Sequence, residues 1–319
     1  MKNKITKFFA IFAFILIFAP TVKAEAAAFR QTNASSGSVT VSWDNTYNNY
    51  VQGYHIYVGS NDIPITVSNT VNSYTITGLQ QGCAYTVLVL CSLNDKEYYF
   101  DSTSHDYIFV RTQPKKMNSN SYKVSWNEQN KIKVKYTDES FYTVNQNTWY
   151  KFIDGIEVKV KDLKGKKKTT VQKSTKGNLY VYSSEYSFAF KAPSVVKNKG
   201  LQYQIRTFIE LENGKKIYSG WTPTKVLIPQ AKITKLKDLG SDKVQVTWKQ
   251  VAGAESYTIW KTTNNGKSYK KVKTVSADTK SYKVSDFESG DENGIVITAT
   301  VKVGKKKYSS QKSYYTYYN

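Results

Sequence analysis

The chain has 319 residues and a formal net charge of +22, with 46 Lys and Arg against 24 Asp and Glu. Two Cys and two His are too few for a disulfide framework, and none of them stands at metal-ligand spacing. With no nucleophile elbow, no phosphate-cradling Gly loop and acids scattered along the chain, the composition points away from an enzyme and implies no cofactor.

Residues 1–24 read as a secretory signal: a basic start (Lys2, Lys4, Lys7), an apolar run from Phe8 to Ala19, and small residues before the cleavage position. The apolar run spans 12 residues, short of the ~20 that a membrane-crossing helix needs. Cleavage after Ala24 and after Ala28 both fit. No later run is long or apolar enough to span a membrane, and no lipid-bearing Cys, hydrophobic tail or sorting sequence follows. The expectation is a secreted chain, extracellular or loosely associated with a cell wall.

The charge is unevenly spread. Residues 25–113 carry a net −4, residues 114–230 a net +13 and residues 231–319 a net +9. An acidic head therefore precedes a basic body, which attracts polyanions at low salt and loses them as salt screens the field. The same lysines also serve as solubilising charges that block strand-edge pairing.

Strands with period-two alternation recur three times, each ending on an aromatic residue: Val39 to Trp43, Ile132 to Tyr136, and Val244 to Trp248. The aromatics lie 93 and 112 residues apart, about the length of one β-sandwich. In the first repeat, Gly53 to Val58 reads as a strand, followed by a turn at Gly59 to Asp62, a strand at Tyr74 to Thr77, and Leu79-x-x-Gly82-x-x-Tyr85 entering an alternating Tyr85, Val87, Val89, Cys91 strand. Together with Trp43 and Tyr54, this order resembles a fibronectin type III domain. The segment at Tyr85 is similar to that family's tyrosine corner, in which the Tyr hydroxyl bonds back to the backbone.

The middle repeat has Tyr136 at the aromatic position. An insertion holding Phe141, Tyr142, Trp149 and Tyr150 comes next, then a strand at Gly155 to Val160 and a hairpin at Leu163 to Lys168. Strands at Tyr186 to Phe190 and Tyr203 to Ile209 resemble the family's fifth and sixth, and Ser219 to Trp221 resembles the opening of its last. The third repeat has a strand at Ala254 to Lys261, a turn at Asn264 to Gly266 and a strand at Tyr269 to Val275. Its corner reaches Asn293 where Tyr is expected, with Ile295, Ile297, Ala299 and Val301 in phase. The reading is all-β: three tandem immunoglobulin-like sandwiches of fibronectin type III style over residues 29–113, 114–229 and 230–319. Short Pro-bearing linkers near Gln113 and Pro229 imply an elongated molecule with stiffly related neighbours.

Cys83 and Cys91 lie on one turn and strand, about 20 Å apart along extended chain, far beyond the ~7 Å that a disulfide allows. Cys91 falls in the buried phase, while Cys83 lies nearer the surface, where pairing between molecules is open. His55 faces opposite to Tyr54 and Ile56 and reads as an exposed strand residue; the other histidine is His105.

Candidate polyanion-binding residues are the lysines of three hairpins: Lys166, Lys167 and Lys168; Lys215 and Lys216; Lys305, Lys306 and Lys307. As flexible point charges they suit loose, multivalent contact with phosphate or carboxylate polymers. The resemblance places the last two hairpins at the loop where some family members carry Arg-Gly-Asp, a tripeptide missing from this chain. The expected partner is an anionic cell-wall polymer, a glycan or a surface protein, with no specific nucleic acid. The lysine-rich last repeat resembles those of secreted Gram-positive proteins, for which wall teichoic acid is the natural polyanion. Two other readings stand beside this one. The 26 Tyr, among them Tyr314, Tyr315, Tyr317 and Tyr318, suit a carbohydrate-binding or adhesive module. The aromatic insertion of the middle repeat leaves room for a glycan-processing enzyme with an unrecognised centre.

Overall fold

Strand alternation, with one side apolar and the other polar, accounts for nearly every element of the computed structural model. It describes residues 29–44, 48–99, 107–126, 131–137, 141–145, 148–174, 185–191, 193, 200–287, 290–313 and 316–318, and among these there is no helix. The signal-like segment at residues 1–24 and His105 lie outside the described residues, as do the side chains of the terminal tyrosines and of the insertion aromatics Phe141, Tyr142, Trp149 and Tyr150.

The first sandwich comprises β1 (Arg30–Ala34), β2 (Val39–Ser42), β3 (Gly53–Val58), β4 (Ile65–Ser68), β5 (Ser73–Ile76), β6 (Ala84–Leu93), β7 (Lys96–Tyr98) and β8 (Ile108–Arg111). One sheet runs β1-β2-β5 and the other β4-β3-β6, with β7 and β8 both pairing to β6 as two segments of one broken edge strand. Leu93 pairs with Lys96 across Asn94 and Asp95, whose φ values of 52° and 59° supply the left-handed turn that matches strand twist. Val39, Val41 and Trp43 meet Tyr54, Ile56, Val87, Val89 and Cys91 in a closed core. Leu79 and Tyr85 pack against that core, and Gly82 has φ 70°. Both cysteines are free, and burial pushes the Cys91 thiol up to about 12, which keeps it an inert core residue.

The second sandwich repeats the plan. Its strands are β9 (Tyr122–Trp126), β10 (Lys131–Thr137), β11 (Phe141–Asn145), β12 (Thr148–Lys151), β13 (Gly155–Asp162), β14 (Lys168–Ser174), β15 (Glu185–Lys191), β16 (Leu201–Glu210), β17 (Lys216–Tyr218) and β18 (Lys225–Leu227). The sheets run β15-β10-β9 and β14-β13-β16, with β17 and β18 again both on β16. The insertion forms a separate hairpin, β11 with β12. Tyr122, Trp126 and Tyr136 are all buried, so the first strand of this sandwich adds two core aromatics to Tyr136 of the second.

The third sandwich has β19 (Lys232–Gly240), β20 (Lys243–Lys249), β21 (Ala254–Thr262), β22 (Lys270–Ser276), β23 (Ser281–Val284), β24 (Gly290–Val303), β25 (Lys306–Ser309) and β26 (Thr316–Tyr318). Its sheets run β19-β20-β23 and β22-β21-β24, with β25 and β26 on β24. The β21 to β22 turn holds Asn265 and Gly266 at φ 55° and 75°.

The chain gathers into two compact units. Among the described residues, the first takes in those up to Leu79 with Ala84–Arg111 and Leu211–Lys215, and the second takes in Gln80–Cys83, Thr112–Glu210 and those from Lys216 onward. Inside the second unit the junction of its two sandwiches is packed: Ile228 and Ala231 belong to the third core, against which Leu163 and Val226 also lie. A Cβ on Gly200 would meet both Ile228 and Leu163 side chains at 2.9 Å, so glycine there admits the contact.

Two buried tyrosines tie strand to loop. Tyr54 donates to Asn48 Oδ1, and the Tyr257 hydroxyl accepts the Val251 N–H at 2.7 Å, each ring lying against the strand-end Trp. Tyr257→Phe leaves the Val251 N–H buried and unpaired, so unfolding in urea is expected to show a loss of about 1–3 kcal/mol. A loss below ~0.3 kcal/mol would show that this bond does not hold the loop.

Candidate functional site

A strand covered on one side presents every second residue to the other. On β13 the buried set is Ile156, Val158 and Val160, which leaves Glu157, Lys159 and Lys161 on the outer face. The register aligns these with neighbours in three rows: Gln172, Glu157, Arg206; Thr170, Lys159, Gln204; and Lys168, Lys161, Gln202. Neighbouring rows are about 7 Å apart along the strands, and strands within a row are about 5 Å apart. At the end of β13 the turn through Gly165, with φ 73°, projects Lys164, Lys166 and Lys167 into solvent, and Asp162 Oδ1 accepts the Lys166 N–H at 2.8 Å.

Cations and rings interleave on this face. The Arg206 guanidinium lies 3.7 Å from the Tyr218 ring centre and 4.4 Å from that of Trp221, and Lys159 Nζ lies 3.8 Å from Trp221. Phe208 follows behind Tyr218 at 5.7 Å, with Lys216 Nζ 4.9 Å from its ring. Gly155 makes room for Phe208, since a Cβ there would meet the ring at 2.5 Å. The Glu157 carboxylate pairs with Arg206 Nε. Lys159 has its pKa lowered from 10.5, first by burial and then by the neighbouring Lys161 and Arg206 charges.

What brings Trp221 over the sheet is a break in the edge strand between β17 and β18. Ser219 Oγ accepts the Thr207 N–H at 3.0 Å and Thr222 Oγ1 accepts the Ile205 N–H at 2.9 Å, so two hydroxyls replace the carbonyls that a continuous strand would supply. The chain between them stands off the ladder and carries Trp221. Sequence reading placed Ser219 to Trp221 at the opening of a strand; they form the gap between two strand segments. The third sandwich repeats the device, with Ser310 Oγ accepting from Ala299 and Ser313 Oγ from Ile297, both at 2.9 Å. There the residue before the second hydroxyl is Lys312, whose Nζ lies 5.6 Å from the Trp260 ring and 4.7 Å from the Tyr269 ring.

The hairpin lysines are not brought to one place. Lys166, Lys167 and Lys168 are exposed beside the outer face of β13. Lys216 is half-buried on the same sheet and donates to Gln172 Oε1 at 2.6 Å, while Lys215 donates to Asn33 Oδ1 at 3.0 Å. Lys305, Lys306 and Lys307 are exposed on the third sandwich, Lys307 within 3.5 Å of Glu255. Sequence reading missed Lys159, Arg206 and Tyr218; their signal was the off-phase half of strands read only for their core.

His55 also differs from the expectation of an exposed strand residue. It is half-buried, and Nδ1 lies 2.6 Å from Glu97 Oε1, the oxygen that also accepts from the Tyr57 hydroxyl at 2.5 Å. Burial and then Glu97 push that hydroxyl up to about 12. Among the described residues no group of His, Cys, Asp and Glu is placed to hold a metal ion, and no helix is long and apolar enough to cross a membrane.

The family model for the fibronectin type III domain matches residues 24–104. Among solved structures, the FN1-FN3 domains of chicken CNTN1 are similar at 15% identity and TM-score 0.25, covering 91% of this chain and 96% of that one. A two-domain fibronectin type III segment from chicken tenascin is similar at 12% identity and TM-score 0.28, covering 63% and 97%. The central fibronectin III array of RIM-binding protein gives 12% and 0.22, covering 91% and 94%. No curated protein matches.

Two outcomes test the geometry. Thr222→Val removes the acceptor for the buried Ile205 N–H and is expected to cost about 1–3 kcal/mol in urea unfolding, with Thr222→Ser restoring most of it. Lys161→Gln removes a like charge, so the Lys159 pKa, followed by NMR of labelled lysine, should rise toward 10.5. Between the folded value and 10.5 the unfolded chain binds more protons, so this group's opposition to folding fades as pH rises through that window.

Proposed function

We propose that this chain, a tandem array of β-sandwiches with a fibronectin type III domain matched at residues 24–104, is a secreted, non-enzymatic binding or structural protein. Its second and third sandwiches, spanning residues 114–229 and 230–319, hold it to an anionic polymer of a cell surface or wall. The observation that carries the reading is the exposure of Lys166 to Lys168 and Lys305 to Lys307 on segments of net charge +13 and +9. Flexible ammonium groups on turns and edge strands give many weak contacts, whose sum depends on polymer length and salt.

A second reading draws on the first sandwich, where Tyr50, Tyr99 and Tyr107 are 59%, 42% and 44% exposed. Rings presented this way stack on sugars or dock proteins, and such binding is insensitive to salt.

The test is retention on immobilised heparin and on a neutral glycan array at ~0.05 M and ~0.5 M NaCl, where the Debye length shrinks about threefold. Release from heparin at the higher salt is the expected result. Retention that does not change with salt contradicts the electrostatic reading, and salt-independent capture by a neutral glycan replaces it with the second.

A further inference from the structure

We infer that the outer face of β14, β13 and β16 is a built site for a linear anionic polysaccharide, with the Lys159 and Lys161 ammonium groups as its charged centre; this rests on the electrostatic reading above and gives it a place and a ligand chemistry. Three observations converge there. Among the described residues of the three rows, Glu157 is the acid, and its carboxylate is already committed to Arg206. Lys159, Lys161 and Lys168 therefore stand on neighbouring positions of one face with no carboxylate between them; burial first, and then the Lys161 and Arg206 charges, lower the Lys159 pKa. An anion arriving on the face relieves the repulsion, which makes the site complementary to negative charge before any ligand binds.

The neutral members of the rows identify the rest of the ligand. Gln202 donates its amide to Leu163 O at 2.8 Å and Gln204 donates to Thr222 O at 2.9 Å. Each amide is thereby fixed in orientation, offering its oxygen as an acceptor and its second N–H as a donor. Thr170 adds an exposed hydroxyl in the Lys159 row. Acceptors set beside the cations suit a polymer that carries hydroxyls next to its anionic groups, as a sugar chain of uronates does and a bare polyphosphate does not. The Trp221 ring is already taken by Lys159 and Arg206, so the ring holds cations in place instead of stacking on sugar.

The experiment uses the full chain with polygalacturonate and polyphosphate as probes, titrated at one ionic strength. Lys159→Gln with Lys161→Gln is expected to weaken polygalacturonate about tenfold, whereas Lys305→Gln, Lys306→Gln and Lys307→Gln together weaken it less than about threefold. Gln202→Ala with Gln204→Ala should weaken polygalacturonate several-fold more than polyphosphate, which cannot use the amide oxygens as acceptors. In the unsubstituted protein, polygalacturonate should raise the Lys159 pKa, which a purely structural cation would not show. If the two lysine sets lose equally, or the third-sandwich set loses more, the site is not on this face although the electrostatic reading stands. If the glutamine variant weakens neither probe, the face reads charge alone and the polysaccharide assignment falls. If neither polymer binds the unsubstituted chain, the electrostatic reading itself fails. Far-UV spectra and urea midpoints of each variant separate lost binding from lost fold.

Discussion

In the first and third sandwiches the two sheets are joined by an aromatic ring at the end of one sheet lying against a tyrosine of the facing sheet. Trp43 meets Tyr54 at 5.2 Å, and Trp248 meets Tyr257 at 5.5 Å. These large side chains fill the space between sheets about 10 Å apart, and each Tyr hydroxyl also anchors the loop that joins the two strands. Because the sandwich consumes one face of each strand, the other face is released from the core. Residues at matching outer positions of the three sandwiches are accordingly unrelated in chemistry: His55 and Tyr57, Glu157 and Lys159, Thr258 and Trp260. A shared core with three different exteriors is what a scaffold does when its purposes lie outside the core.

The broken edge strand shows how such an exterior can be rebuilt without cost to the interior. In the second and third sandwiches two hydroxyls accept N–H groups that the missing carbonyls would have taken, and the residue before the second hydroxyl is lifted over the sheet. In one case that residue is Trp221, over Lys159; in the other it is Lys312, beside Trp260. Lys159 and Trp260 hold equivalent ladder positions, opposite Gln204 and Val296, which immediately precede the amides bonded by Thr222 and Ser313. Ring and cation have exchanged places while the pairing is kept. The attraction needs only the cation over the ring face, whichever element supplies each partner, so either arrangement satisfies it.

The core was legible from sequence because burial leaves a two-residue period, and Val39, Val41, Val244 and Val246 obey it. The turn at Asn265 and Gly266 was legible because a positive φ selects those residue types. The outer face was not, since alternation says only that Glu157, Lys159 and Lys161 lie outside, and says nothing of which residues on β14 and β16 stand beside them. That depends on register between strands more than 40 residues apart, such as Lys159 with Gln204. His55 was misjudged for the same reason: Glu97 reaches it from another strand. Hairpin lysines stood out because they are consecutive, yet Lys215 and Lys216 turn out to be engaged by Asn33 and Gln172.

The partners of the cations decide how much of the charge remains available. A lysine held by a carboxylate is fixed in position and neutralised by the same contact. A lysine held by a ring is fixed and keeps its full charge, because the ring offers only a quadrupole. On the second sandwich Lys159 rests on Trp221, Lys216 on Phe208 and Lys225 on Tyr122. Arg206 has both kinds of partner, two rings and Glu157. The abundance of aromatics beside lysine thus acquires a physical meaning beyond packing: the rings organise the positive field and leave it directed outward, where salt and anions can reach it.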